Sequence, residues 1–252
     1  MLRLKRADKA AHISSLVGPS GKKAPLTVNF NVRIGSRSVP VTGRRLTKAP
    51  VFEARRTPST FQVLPSCILD WIRVVLHQLL PHHIQSWLRH TFPVWFLPTI
   101  FIVKELDPAK PDSFFREGEI YAKLGHLQGY TIPVHYGTVE VEHPGELETR
   151  KAHLIELVNG MPLSECTREQ SIEYRSKAKI DEALALLSEM NVVQGDPAPR
   201  HFIHTANGGL RIIDFGEAYM EDDAAKLNQG DAENAMYWFS QIIDTYVRNY
   251  SI

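Results

Sequence analysis

VVQGDPAPRHFIHTANGGLRIIDFG, residues Val192 to Gly216, is the stretch on which the reading of this chain turns. Val192-Val193 is a short apolar run that stops at Gln194-Gly195-Asp196-Pro197. His201-Phe202-Ile203 and Leu210-Arg211-Ile212-Ile213 read as two strands. Asn207-Gly208-Gly209 between them supplies the positive-φ positions that a tight hairpin needs. Asp196 lies in the loop entering this hairpin and Asp214 follows the strand leaving it. A hairpin returns the chain close to its start, so both carboxylates would face one cleft. Asp214-Phe215-Gly216 then sets an acid, an apolar anchor and a flexible residue in succession.

Upstream, Thr99 to Leu106 is rich in β-branched residues and reads as a strand carrying Lys104 near its end. Phe114 to Leu127 reads as a helix, with Asp112-Ser113 as its cap. Glu117 and Glu119 on that helix point about 200° apart, so only one can face the strand. Ala152 to Gly160 is a further strand ending in Asn159-Gly160. Residues 168–190 carry the most regular helical pattern, and 222–250 read as one more helical stretch.

Lysine, helix glutamate, strand, loop aspartate and Asp-Phe-Gly in this order resemble the protein-kinase-like superfamily, from about Phe92 to Glu221. The Leu127-Gln128-Gly129, Ile132-Pro133 and Tyr136-Gly137 segment is most similar to small, largely uncharacterised kinase-like proteins of fungi. The resemblance implies an α+β, two-lobed fold, with a mainly antiparallel-sheet N-lobe and a reduced helical C-lobe. It implies an ATP-dependent phosphotransferase passing the γ-phosphate to a hydroxyl of a protein or a small molecule, with ATP and Mg²⁺ as cofactors. Lys104, held by Glu117, would grip the phosphates. The family's helix pattern (Glu117, Tyr121, Leu124) favours Glu117 over Glu119. Asp196 would orient the attacking hydroxyl and accept its proton, and Asp214 would carry Mg²⁺. Ile155 would be the gatekeeper, and Glu156, Leu157 and Val158 the backbone contact to adenine.

The sequence departs from that pattern in three places. No glycine lies between Gly43 and Gly118, so a glycine-rich loop before the Lys104 strand is missing, and a loop such as Leu88 to Thr99 would have to cover the phosphates. By D-x-x-x-x-N spacing the second metal-binding position falls on His201, and Gln194 stands where a histidine is usual. Only 36 residues follow Gly216, too few for a full helical platform. These departures support a second reading, a pseudokinase that binds a nucleotide or a partner without catalysis. A third is an unrelated α+β domain with a chance Asp-Phe-Gly.

With 43% apolar and 23% charged residues, the 252-residue chain has an ordinary globular composition, long enough to bury a core. Its net charge of +1 hides an asymmetry: residues 1–60 hold 13 Lys/Arg against Asp8 and Glu53 alone. The basic head fits a solvated tail, a mitochondrial presequence or an arm for nucleic acid or another acidic partner. The domain plan is a basic, flexible segment over 1–50, a helical lead-in over 51–91, an N-lobe over 92–160 and a C-lobe over 161–252. Within the first segment, Leu26 to Ile34 alternates as an extra strand would. Gly18 to Lys23 fails the spacing of a P-loop. Residues 66–90 read as two helices broken at Pro81. Their His77, His82, His83 and His90 have no acid or cysteine to complete a metal site. Cys67 and Cys166 stand far apart, which suits a reducing compartment. No apolar run reaches the roughly 20 residues a membrane span needs. The expected location is intracellular, cytoplasmic by default, with mitochondrial or nuclear targeting open to the basic head.

Overall fold

The computed structural model describes residues 27–47, 50–57, 97–166, 176–235 and 237. Strand β1 (Thr27–Ile34) turns Phe30, Val32 and Ile34 to one face and Asn29, Asn31 and Arg33 to the other. β2 (Arg37–Arg45) and β3 (Val51–Arg56) continue the alternation, burying Val39, Val41, Phe52 and Ala54. β4 (Ile100–Glu105), β5 (His135–Glu142) and β6 (Arg150–Glu156) complete the set. Every pairing is antiparallel, in the order β1-β2-β3-β4-β6-β5, and β5 pairs back onto β1 to close a barrel.

The inward residues fill the barrel. Val32, Ala54, Phe101, Val103, Val141 and Ala152 are fully buried there. Burying each larger side chain contributes about 1.5–3 kcal/mol relative to exposure. Gly43 sits at an inward position because there is no room for more: a Cβ there would lie 2.6 Å from the Phe30 ring. Across the closing seam, Arg33 on β1 pairs with Glu140 and Glu142 on β5. Exposed pairs of this kind add little energy, but they favour one register.

Helix α1 (Pro111–Lys123) follows β4. It begins one residue before the expected cap, with Pro111 in its first turn, where the missing N–H costs nothing. Asp112 then lies in the first turn, where a negative charge suits the helix dipole. The Ser113 hydroxyl is used elsewhere, donating to the Gly216 carbonyl at 2.6 Å. Ile120 and Tyr121 of α1, with Leu124 at its C-cap, enter a second core with α2 (Ser176–Ser188) and the segments beyond it. Three residues beyond the end of α2, in the turn that follows it, Asn191 takes a left-handed conformation, φ 55°, which asparagine tolerates.

The remainder corrects the expected two-lobed fold with a reduced helical C-lobe. Among the described residues the chain is mostly sheet, with the closed barrel above and only three helices, the third over 224–235. β7 (Gly160–Pro162), β9 (Phe202–Thr205) and β10 (Leu210–Ile212) form a three-stranded sheet in the order β10-β9-β7. β8 (Val192–Val193) pairs with β11 (Tyr219–Met220). The physical reason lies at the start of the chain. β1, β2 and β3 supply half the barrel, and once β1 pairs with β5 the sheet has no free edge to serve as an open lobe. Part of the basic head is thereby woven into the barrel. The lead-in helices over 66–90 and their four histidines lie outside the described residues. No helix among the described residues is long and apolar enough to cross a membrane.

Candidate functional site

Lys104 stands on the outer face of β4, because its neighbours Val103 and Glu105 turn into the barrel. Nearly two turns into α1, Glu117 is buried against it, 1% exposed, while Glu119 on the opposite side is exposed. Lys104 Nζ donates to Glu117 Oε1 at 3.0 Å, and Oε2 lies 2.8 Å away as a charge contact. The same ammonium donates to Asp214 Oδ1 at 2.7 Å. Asp214 reaches it from the second residue after the β9–β10 hairpin, with φ 62°. A left-handed backbone is uncommon outside glycine, and aspartate is among the residues that tolerate it.

Burial alone would lower the Lys104 pKa, but Glu117 and Asp214 outweigh it and hold the group above the ordinary lysine value. Burial raises Glu117 above the usual carboxylate range, with Lys104 offsetting part of the effect. Burial would also raise Asp214. The Lys104 charge and hydrogen bond, His201 and the Gly216 N–H reverse this, so Asp214 is held low and ionised.

The segment after Asp214 is fixed at several points. Phe215 is fully buried and meets Tyr121 edge-on at 5.3 Å. The Gly216 carbonyl accepts from Ser113 Oγ and, at 3.1 Å, from Arg116. The Asp196 loop is fastened from the third helix. Gly195, φ 74°, donates its N–H to Asp231 at 3.2 Å. A side chain at Gly195 would place its Cβ 2.3 Å from the Glu217 carbonyl oxygen, so glycine is required there on two counts. Asn228, almost fully buried, accepts from the Gln194 N–H and donates to the carbonyls of Val192 and Leu184 and to Ser188. Gln194 donates in turn to the carbonyls of Ile213 and Asp214, tying the two aspartate segments together.

Lys104, Glu117, Asp196 and Asp214 therefore line one cleft of about 190 Å³, bordered by Pro50 and Val51 on the approach to β3 and by Ser113 and Gly216 below. Most of the loop over 88–99, expected to cover the phosphates, lies outside the described residues. Asp196 Oδ2 accepts from Arg200 at 2.9 Å. His201, only 6% exposed, sits between the two aspartates. Its Nδ1 lies 3.1 Å from the Asp196 carbonyl oxygen, and its Nε2 3.6 Å from Asp214 Oδ2.

The expected adenine contacts do not line this cleft. Ile155 is buried opposite Ile102 in the β4–β6 pairing. The Glu156 carboxylate accepts from Arg211 at 2.7 Å and from the Val134 N–H at 3.0 Å, while its own N–H donates to the Val134 carbonyl. Leu157 and Val158 lie in the irregular segment between β6 and β7.

Among the described residues no three His, Cys, Asp or Glu side chains converge as a metal cluster. Mg²⁺ that arrives with a nucleotide asks for fewer ligands, one or two carboxylates besides the phosphates. Asp214 fits that requirement: it is ionised, Oδ1 is taken by Lys104, and Oδ2 makes no closer contact than His201.

Sequence reasoning missed Ser113, Arg116, Arg200, Asn228 and Asp231. One signal for Asn228 was present. It shares a helical face with Ala224, Ala232 and Ala235, all buried, and a polar residue on such a face has to be hydrogen-bonded. No protein-family model matches the sequence, and no curated protein matches it.

Proposed function

We propose that this chain is an ATP-dependent phosphotransferase that passes the γ-phosphate to a hydroxyl of a protein or a small molecule. The observation that carries the reading is Lys104 held between Glu117 and Asp214, in one cleft with Asp196. Phosphoryl transfer demands positioning and charge neutralisation more than covalent chemistry, and this cluster offers both. Glu117 fixes the direction of the ammonium, which would donate to the phosphate oxygens. Asp214 and His201 would hold Mg²⁺, which when bound neutralises charge on the phosphates. Asp196 Oδ2 is engaged by Arg200, which leaves Oδ1 to accept the proton of the acceptor hydroxyl as its oxygen bonds to the γ-phosphorus. The bond from that phosphorus to the bridging oxygen breaks, and ADP leaves with the electron pair. Leu157 and Val158, outside any strand, are the backbone segment that would read the base.

One observation favours the second reading, a catalytically silent scaffold. The cleft holds about 190 Å³, whereas pockets for ligands of nucleotide size run from about 300 Å³ upward. Asp196→Ala separates the two. For an enzyme, phosphate transfer from radiolabelled ATP, to water or to an acceptor from a hydroxyl-compound panel, falls at least about 100-fold while nucleotide binding stays. Equal transfer by wild type and variant rules out Asp196 as the base.

A further inference from the structure

The cleft holds a second lysine that the phosphotransfer reading leaves unused. Among the described residues that line it, Lys104 and Lys110 are the cations, set in a surplus of carboxylates that includes Glu117, Asp196, Asp214 and Glu217. Lys110 Nζ donates to Glu217 Oε1 at 3.0 Å. The two lysines differ in how firmly they are committed. The Lys104 ammonium has three N–H donors and spends two of them on Glu117 and Asp214, with its side chain only 23% exposed. The side chains of Lys110 and Glu217 are 65% and 53% exposed. An ion pair in that setting contributes little, so its ammonium can be given up to a more highly charged anion.

Both backbones at this pair are nevertheless fixed. Lys110 is the N-cap of α1, and the Gly216 carbonyl ahead of Glu217 accepts from Ser113 and Arg116. The Glu217 carbonyl oxygen packs against Gly195, the residue before Asp196. The pair is thereby held at the end of the cleft that carries the proposed base, which is where a transferable phosphate has to lie. Opening it takes side-chain rotation alone.

We propose that Lys110 binds the terminal phosphate of a nucleoside triphosphate and that Glu217 takes the ammonium when that phosphate is absent. The proposal rests on the phosphotransfer reading and assigns that site its preference among nucleotides. No glycine between Gly43 and Gly118 supplies a backbone cradle over the phosphates, so cover has to come from side chains. Lys104 has one donor left for them. Lys110 brings a second positive charge and further donors to the γ-phosphate oxygens. Once the phosphoryl group has passed to the acceptor, ADP no longer reaches Lys110, and Glu217 recaptures it. The cleft therefore distinguishes triphosphate from diphosphate.

The test is isothermal titration calorimetry of the full chain with Mg·ATP and with Mg·ADP, in wild type, Lys110→Met, Lys110→Arg and Glu217→Gln. Wild type is expected to bind ATP more tightly than ADP. Lys110→Met should lose at least about tenfold in ATP affinity, while ADP affinity stays within about twofold. Lys110→Arg, which keeps the charge, should retain most of the preference. Glu217→Gln removes the competing carboxylate and should tighten ATP binding by about two- to fivefold. The Lys110 side chain makes no cap hydrogen bond, so unfolding midpoints should stay near wild type. Equal losses for the two nucleotides in Lys110→Met, no loss for either, or no gain in Glu217→Gln would each overturn the proposal. Its failure is distinguishable from failure of the enzyme reading. Phosphate transfer with an ATP-to-ADP preference that Lys110→Met leaves unmoved sinks only the Lys110 assignment. A Lys110-dependent preference for ATP in a chain that transfers phosphate to no acceptor sinks only the phosphotransferase. Wild-type protein that binds neither nucleotide overturns both.

Discussion

Lys104 and Asp214, 110 residues apart in the chain, meet at 2.7 Å, and the same ammonium is held by Glu117. This contact joins the barrel, through β4, to the segment that leaves the β9–β10 hairpin. It also sets the charge of the cleft, because one cation stands between two carboxylates of different burial.

Glu117 is buried far more deeply than Asp214, so the Lys104–Glu117 half of the cluster should govern stability. Lys104→Met leaves a carboxylate in an apolar site, and urea unfolding at pH 7 should show a loss of about 3 kcal/mol. Adding Glu117→Gln removes the stranded charge. The double variant should regain at least about 1 kcal/mol over Lys104→Met alone, a coupling that a double-mutant cycle reads directly. Strictly additive losses would mean the pair is not coupled in solution.

Stability should fall on the acid side of pH 6.5 because of His135. Burial, followed by the neighbouring His153, lowers its pKa to about 3, so the folded protein keeps the ring neutral while the unfolded chain takes up a proton. Its Nε2 lies 3.1 Å from His153 Nδ1, and its ring stacks on Tyr121 at 4.9 Å. Since the folded value lies below the unfolded one, the contribution is complete above about pH 6.5 and is lost as pH falls toward 3. The slope is about 1.4 kcal/mol per pH unit. His153 is also lowered, first by burial, and acts in the same sense. In His135→Gln, unfolding free energies between pH 7.5 and 4.5 should fall less steeply than in wild type by about one proton's worth. Parallel profiles would contradict the assignment.

Asn228 should prove a stability determinant despite its polarity. Its four hydrogen bonds hold the Gln194 N–H, two carbonyls and the Ser188 hydroxyl in a region closed to water. Asn228→Ala strands these groups, and chemical unfolding should show a loss of about 2–4 kcal/mol. Loss of the tether to Gln194 should also loosen the Asp196 loop, visible as faster amide exchange at Gly195. A variant as stable as wild type would show that the loop is held by other contacts.

What the sequence disclosed and what it concealed follow from how local the interactions are. The hairpin over 202–212 was legible because Asn207-Gly208-Gly209 dictates its turn within a few residues, and β9 and β10 pair as neighbours. Lys104 and Glu117 were legible as a strand residue and a helix residue close in sequence. Closure of the barrel was not. It depends on Val32 standing opposite Val141 and Arg33 opposite Glu140, pairings over a hundred residues apart that no local pattern specifies. β7 is three residues long and gains its strand character only from β9. The tether by Asn228 and Asp231 was hidden because it acts on backbone N–H groups, which leave no mark on the sequence that receives them.

The central claim is that Lys104, Glu117 and Asp214 form a seat for nucleotide phosphates. Thermal and urea unfolding of the full chain with and without millimolar Mg·ATP, repeated with Mn·ATP, tests it most directly. If nucleotide is present at about 100 times its dissociation constant, the native state should gain about 2.7 kcal/mol. That gain should disappear in Asp214→Ala and in Lys104→Met while persisting in Asp196→Ala. No shift with either metal in the wild-type protein, or an equal shift in all three variants, would contradict the account.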